Sequence, residues 1–171
     1  MDIYEAIKKR RSVRAYKDEK IDEAVFNRIL EAARLAPSAN NSQGYKFIIV
    51  KDTEKKKALA KAALNQTFIA RAPVIIVGVA LNPELDDDST VPFYAVDLAI
   101  AFDHITLAAA AEELGTCWIG AFIQEDVKQI LGVPQKHKIV ALMPLGIPND
   151  KPVPKTRKNL KELIRHEKFF E

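Results

Sequence analysis

The sequence has very little of the residue types on which several protein classes depend. It contains one cysteine, three histidines and six glycines among 171 residues. A single cysteine, Cys117, excludes an internal disulfide framework and fits a reducing compartment. Histidine pairs with the spacing of a zinc site are missing. We therefore expect a cytoplasmic protein without a metal centre.

Other familiar signals are also missing. No apolar run approaches about 20 residues, so we expect neither a membrane-spanning helix nor a membrane partner. The N-terminus alternates apolar and charged residues, which is not the pattern of a secretory signal. No Gly-x-Gly-x-x-Gly follows a strand and no Gly-x-Ser-x-Gly is present. The sequence thus excludes a Rossmann dinucleotide site and gives no support to a serine hydrolase.

Charge is mild overall but unevenly distributed. The formal net charge is +3 at pH 7, with basic clusters at residues 8–14 and 151–161 and an acidic run at residues 84–88. The basic clusters lack interleaved aromatic residues on which bases would stack. We therefore expect no nucleic-acid partner.

Hydrophobic patterning predicts one domain over residues 1–171. Asp2 and Asp22 are predicted to cap the first two helices, and Pro37 to stop the second. Further helices are predicted at 53–64, 93–114, 124–131 and 158–166, with Gly115 closing the long one. Strands are predicted at 45–50, 73–81, 116–122 and 138–145. Four strands interleaved with helices indicate an α/β sandwich.

The arginine-rich segment after the first helix is the most informative part of the chain. It reads Lys9-Arg10-Arg11-Ser12-Val13-Arg14. Guanidinium groups are the preferred bidentate ligands of phosphate, although cations also stabilise the end of a helix without binding anything. A second cluster, Lys155-Thr156-Arg157-Lys158, lies near the other end. If folding joins the two clusters, they form a phosphate clamp.

Two further features each leave two interpretations open. The amides of the loop at 37–44 either satisfy their own turn or bind the edge of a heterocycle. The helix at 93–114 is apolar all round, so its outer side packs either in the core or on a partner subunit. Asp97, Asp103 and His104 on that helix lack the spacing of a metal or acid–base site. Cys117 is interpreted as a core residue rather than a nucleophile.

Taken together, five segments resemble the nitroreductase family of FMN-dependent oxidoreductases, in its short single-domain form. The resemblance covers the whole chain in order. The segments are Lys9-Arg10-Arg11-Ser12-Val13-Arg14-Ala15-Tyr16, Ala36-Pro37-Ser38-Ala39-Asn40-Asn41-Ser42-Gln43, Leu64-Asn65-Gln66 ahead of Ala72-Pro73, Leu114-Gly115-Thr116-Cys117-Trp118-Ile119-Gly120, and Pro144-Leu145-Gly146-Ile147-Pro148 with Lys155-Thr156-Arg157.

The resemblance implies a fold, an assembly and an activity. The fold is α+β, an α/β sandwich whose mixed, mainly antiparallel central sheet is flanked by helices. The assembly is a homodimer with two FMN sites at its interface. Independently of the resemblance, the apolar tail Phe169-Phe170 would be exposed to water in a monomer, so we expect it to pack on the partner subunit. The activity is ping-pong oxidoreduction with NADH or NADPH as co-substrate and a nitroaromatic or quinone-like planar acceptor. A specialised flavin or dehalogenation enzyme, or a non-catalytic flavin-binding protein, are the alternatives.

The resemblance also implies roles for particular residues. Flavin chemistry needs no catalytic side chain, so none is expected; Arg14 would place a charge near flavin N1 and O2. Phe68 and Ile69 stand where some relatives carry a second cation, so the flavin is expected to attract electrons less. The remaining implied cofactor contacts are Arg10, Arg11, Ser12, Lys155 and Arg157 for phosphate and ribityl, Pro37, Ser38 and Ala39 from the other subunit, Asn41, Asn65 for the pyrimidine edge, and Gly120 and Ala121 for flavin N5.

Overall fold

The structure, a computed structural model, describes residues 1–81, 83, 91–153 and 155–169. The acidic run at 84–88 and Phe170 lie outside the described residues. The expectation that Phe170 packs on a partner therefore stays a prediction.

The described chain forms six helices and four strands, which alternate after α2. In order they are α1 (Ile3–Lys9), α2 (Glu23–Arg34), β1 (Tyr45–Val50), α3 (Thr53–Ala62), β2 (Val74–Ala80), α4 (Phe93–Ala111), β3 (Gly115–Thr116), α5 (Gln124–Leu131), β4 (Lys138–Gly146) and α6 (Leu160–Leu163). Two short 3-10 turns, Ala39–Asn41 and Thr67–Arg71, lie in the connections.

The four strands form one sheet in the order β1-β2-β4-β3, and all three strand pairs are antiparallel. One parallel bridge, between Ser12 and Thr116, adds the arginine-rich segment to the outer edge of β3. The predicted mixed, mainly antiparallel sheet is therefore confirmed. Its edge brings the N-terminal segment next to the chain at 115–117.

Both faces of the sheet are covered, because β2 is buried along its whole length. Ile75, Val77 and Val79 face a cluster that includes Leu59 of α3 and Val127 of α5. The alternate residues of β2 face a second cluster, which α2 and α4 supply. Successive side chains of β2 point to opposite faces of the sheet, and both faces are buried. This explains why β2 is apolar at every position instead of alternating between apolar and polar residues.

An aromatic row on the α4 side links the core to the surface near the candidate site. A Cβ at Gly78 would overlap the Phe102 ring, so the glycine lets this ring lie directly on β2. Phe102 packs edge-on against Phe47 at 5.3 Å and against Trp118 at 5.2 Å between ring centroids. Trp118 is 42% exposed, and it is the outer end of the row.

The predicted helix starts are confirmed at atomic detail. Asp2 Oδ1 accepts the N–H of Glu5 at 2.9 Å. Asp22 Oδ1 accepts the N–H of Val25 at 3.0 Å. Each bond satisfies one of the backbone donors that a helix N-terminus leaves unpaired.

The predicted end of the long helix is wrong. α4 ends at Ala111, and Glu113 adopts the left-handed conformation with φ 60. The N–H of Leu114 then donates to the carbonyl of Ala109 at 2.8 Å, which closes the helix. Gly115 lies in β3 instead, where a Cβ would overlap the Val13 side chain. This glycine serves the close approach of the arginine-rich segment.

Two predicted elements are much shorter than expected. The strand predicted at 116–122 is reduced to β3 and one bridge, between Ile119 and Leu142. The helix predicted at 158–166 is reduced to the four residues of α6, whose Leu160 and Leu163 are both exposed. Short helices need tertiary packing for stability, and the described chain leaves the apolar side chains of this one largely exposed.

One helix of the described chain, α4, is long and apolar enough to cross a membrane by length and composition alone. The sequence-based expectation overlooked it. A core helix has the same features, and Leu98, Phe102 and Ile105 of α4 are fully buried against the sheet and α2.

Candidate functional site

The two cationic clusters lie in one pocket. This pocket has a volume of about 410 Å³ and is lined by Arg10, Arg11, Ser12, Arg14, Asp150, Lys151, Val153, Lys155 and Arg157. Residues from both ends of the chain therefore converge, as a phosphate clamp requires. We call this the cationic pocket.

The electrostatics of the cationic pocket favour an anion. The pKa of Lys155 lies below its ordinary value, because its ammonium group is partly desolvated and because three arginines repel its charge. These are Arg10, Arg157 and Arg11. A multiply charged anion would relieve this repulsion. The donors present, guanidinium groups, ammonium groups and a hydroxyl, are those that bind a phosphate dianion.

Arg11 is engaged differently from the other cations. Its Nη1 donates to Oδ2 of Asp150 at 2.8 Å, and its Nη2 donates to Oδ1 of the same carboxylate. These hydrogen bonds hold the pKa of Asp150 below its usual range. Sequence reasoning missed Asp150, because a lone acid in a Pro-rich basic loop gives no signal of its partner 139 residues away.

The cationic pocket is held beside β3. The N–H of Val13 donates to the carbonyl of Thr116 at 2.8 Å, and Ser12 bridges the same residue. Arg14 lies close enough to Cys117 to act on the titration of its thiol. The pocket thus adjoins the chain that continues through Trp118 to residues 120 and 121.

The segment with Asn65 lies next to Gly120 and Ala121. Gln66 Nε2 donates to the carbonyl of Ala121 at 3.2 Å, which ties the two segments together. Leu64 and Asn65 both have positive φ, 56 and 60, a conformation that is uncommon for leucine and tolerated by asparagine, and Asn65 is exposed. Gly120 and Ala121 are also exposed. These residues form an open polar edge suited to a planar ligand.

The loop at 37–44 is anchored elsewhere. The N–H of Ala39 donates to Oδ1 of Asp97 at 3.0 Å, and Asp97 is only 5% exposed. Gln43 donates to Ser38 Oγ from its N–H at 3.0 Å, and from its side chain to Asn41 O at 3.1 Å. Part of the loop's polarity therefore satisfies its own turn, the first of the two interpretations.

Within a single chain, the loop at 37–44 lies far from the cationic pocket. Asp97 lies near the start of α4, whereas a small pocket joins Arg10 and Arg11 to Ala110 and Glu113 near its end. The rise of 1.5 Å per residue places these ends roughly 20 Å apart. Pro37, Ser38, Ala39 and Asn41 thus belong to a separate part of the surface.

The other residues that were candidates for a chemical role have structural roles. Cys117 is 2% exposed, and burial raises the pKa of its thiol, although Arg14 and Ser12 oppose this. Ile69 is fully buried in the core cluster on the α3 side of the sheet, and Phe68 packs against the same cluster, so both serve the core. Among the described residues, no three His, Cys, Asp or Glu side chains lie together as a metal site would need.

The chain matches one known protein family. The model of the nitroreductase family matches residues 7–73 and 61–147. An NADH dehydrogenase from Thermus thermophilus is 30% identical, over 96% of this chain and 95% of that one.

Solved structures agree in fold. A nitroreductase family protein from Clostridium novyi NT is 40% identical with a TM-score of 0.83, over 88% of this chain and 87% of that one. An NADPH:FMN oxidoreductase from Vibrio harveyi, solved with NAD⁺, is 27% identical with a TM-score of 0.90, over 99% of this chain and 78% of that one. The family model covers most of the chain, and a relative 30% identical matches it along nearly its whole length, so the chain belongs to the nitroreductase family.

Proposed function

We propose that this protein is an FMN-dependent oxidoreductase that takes hydride from NADH or NADPH and reduces a nitroaromatic or quinone-like acceptor. The observation that carries the proposal is the cationic pocket, which joins both ends of the chain beside the strand leading to Gly120 and Ala121. The similarity to a relative that acts on NADPH and FMN supports it. The free cysteine fits a cytoplasmic location.

The cationic pocket would hold the phosphate. Arg10, Ser12, Lys155 and Arg157 supply donors from two segments, and more than one cation is needed to replace the water around a phosphate dianion. Arg11 adds charge, although both its outer nitrogens bond to Asp150. FMN would then be preferred to riboflavin, which has the same ring system without the phosphate.

The exposed edge beside the pocket would hold the ring. Asn65 would pair with the polar edge of the pyrimidine, and the backbone N–H groups at Gly120 and Ala121 would face flavin N5. When bound, FMN would supply the chemistry, accepting hydride from the nicotinamide and passing electrons to the acceptor. No side-chain acid or base is required, and the exposed edge suits small planar acceptors.

We further propose that the active form is a homodimer. The outer side of α4 exposes apolar groups, Phe93 and Val96, next to the loop anchored by Asp97. Phe169 is 85% exposed on the tail. Exposed apolar patches of this kind commonly mark interfaces. A second copy would bring its loop with Pro37, Ser38, Ala39 and Asn41 to the ring site, which one chain leaves incomplete.

Arg14→Ala should lower the midpoint potential of bound FMN by a few tens of millivolts. Reduced flavin carries negative charge at N1 and O2, which a guanidinium stabilises. For a two-electron couple, ~30 mV corresponds to about 1.4 kcal/mol, the size of one charge-assisted contact. Potentiometric titration of wild type and variant measures the shift. An unchanged potential in a variant that retains FMN would remove this role from Arg14.

Cys117→Ala should leave most NADH-dependent turnover intact and cost about 1 kcal/mol of stability, because it opens a small cavity in the core. Steady-state rates and thermal melting measure the two effects. Complete loss of turnover with FMN still bound would instead assign the thiol a chemical role.

Oxidation of NADH and NADPH by the FMN-loaded protein, with and without menadione or a nitroaromatic, tests the activity. We expect turnover that depends on the acceptor. Tight FMN binding without any oxidation would instead identify a flavin carrier.

A further inference from the structure

The chain leaves the folded domain at Asp150. Just before it, the N–H of Asn149 donates to the carbonyl of Ala15 at 2.9 Å, which fixes the loop after β4 to the N-terminal segment. Beyond it, every described residue from 151 to 169 is exposed. Lys155 and Arg157, which complete the cationic pocket, therefore lie on a segment with little packing to hold it.

Asp150 is bound firmly at this exit. Its carboxylate accepts hydrogen bonds from both outer nitrogens of Arg11, and Arg11 Nη2 also approaches its backbone carbonyl at 3.3 Å. A backbone hydrogen bond from Arg14 contributes as well. Charge-assisted bidentate pairs fix orientation as well as distance. The side chains are only partly exposed, 16% for Arg11 and 29% for Asp150, so solvent screens the pair incompletely.

We propose that the Arg11–Asp150 pair is a strap that holds Lys155 and Arg157 over the phosphate position, which makes Asp150 a positioning residue for cofactor binding. The inference rests on the proposed function. The main role of Arg11 is then to hold Asp150 rather than to bind phosphate, because both of its outer nitrogens donate to the Asp150 carboxylate. It also explains why a negative charge lies inside an anion-binding pocket, where on charge alone it would oppose the ligand.

The negative charge of Asp150 and its proposed positioning role predict opposite effects of Asp150→Ala on the affinity for FMN. Removing a carboxylate makes the pocket more positive, which by itself would tighten FMN binding. Loss of the strap would instead weaken FMN about tenfold, as expected when one charge-assisted contact is lost, while riboflavin binding changes less than about twofold. Flavin fluorescence titrations of both ligands measure the two affinities. Glu54→Ala, which breaks the exposed Glu54–Lys57 pair on α3, is the matched control.

The charge-swapped double variant Arg11→Asp with Asp150→Arg separates the strap from the individual residues. It keeps the net charge of the pocket and restores an ion pair, so it should recover most of the preference for FMN over riboflavin that each single change loses. A direct phosphate role for Arg11 would leave the double variant as weak as Arg11→Asp, and this result would overturn the proposal.

Other outcomes are equally decisive. Unchanged or tighter FMN binding by Asp150→Ala, or an equal loss for riboflavin, overturns the strap. If Arg157→Ala weakens FMN selectively while Asp150→Ala does not, only the strap fails. If neither variant affects FMN, the phosphate assignment of the pocket fails with it.

Discussion

The Arg157→Ala variant should bind FMN roughly ten- to a hundredfold more weakly than the wild type, since a charge-assisted hydrogen bond contributes about 1.5–3 kcal/mol. Arg157 lies in the cationic pocket, and its Nη1 donates to the carbonyl of Thr156 at 2.7 Å. A guanidinium has five N–H donors, and this bond uses one. The residue is exposed, so its removal should leave the core intact.

Riboflavin provides the control for this experiment. It lacks the phosphate, so the wild type and Arg157→Ala should bind it almost equally. Fluorescence titration with both flavins gives the ratio of affinities directly. If the affinity of the variant for riboflavin falls as much as its affinity for FMN, then Arg157 shapes the ring site or the fold, and the second cluster is not a phosphate ligand.

Val96→Glu should separate the dimer and, with it, remove most FMN binding. Val96 is 38% exposed on the outer side of α4, directly before the Asp97 that anchors the loop at 37–44. A glutamate is harmless there in water, but burying it unpaired in an interface costs several kcal/mol. We expect FMN affinity to fall about a hundredfold or more, since each 1.4 kcal/mol is about tenfold.

Light scattering and flavin titration on the same sample test this prediction. Wild type should have a mass near twice the 19.1 kDa of one chain, and the variant a mass near one chain. Lys61→Glu on the exposed side of α3 is a charge control that should stay dimeric. A wild-type monomer that binds FMN tightly would contradict the need for a second copy.

Where local and tertiary preferences agree, the sequence predicts the fold closely. β1 has the predicted bounds, Tyr45–Val50, because a β-branched and aromatic run here pairs along its full length with β2. α5 also has its predicted bounds, because Gly132 adopts the left-handed conformation at its end with φ 66. In both elements, the local sequence signal and the tertiary surroundings favour the same type and the same boundary.

The errors occur where distant residues decide the structure. Gly115 was predicted to end α4 because glycine is common there, but its position is set by Val13, a residue about a hundred positions earlier. The helix predicted at 158–166 rests on apolar spacing, yet Leu160 and Leu163 stay largely exposed in the described chain. Periodicity reports which residues could share a face, and not whether another element covers that face.

The candidate site shows the same division. Residue chemistry marked the arginine-rich segment and Lys155 with Arg157 as two possible halves of one anion site, on the condition that folding joins them, and the structure places them in one pocket. Asp150 could not be predicted, since only the folded chain pairs it with Arg11. Its carboxylate opposes the simplest expectation for an anion site, because on charge alone it would repel the ligand.

Anaerobic titration of the FMN-loaded protein with NADH and NADPH tests the central claim most directly. We expect the visible flavin absorption to disappear as one or both nicotinamides are added, and to return when menadione is supplied without oxygen. Absorption that persists under an excess of both, in a protein that still holds FMN, would contradict the assignment as an NAD(P)H-dependent oxidoreductase.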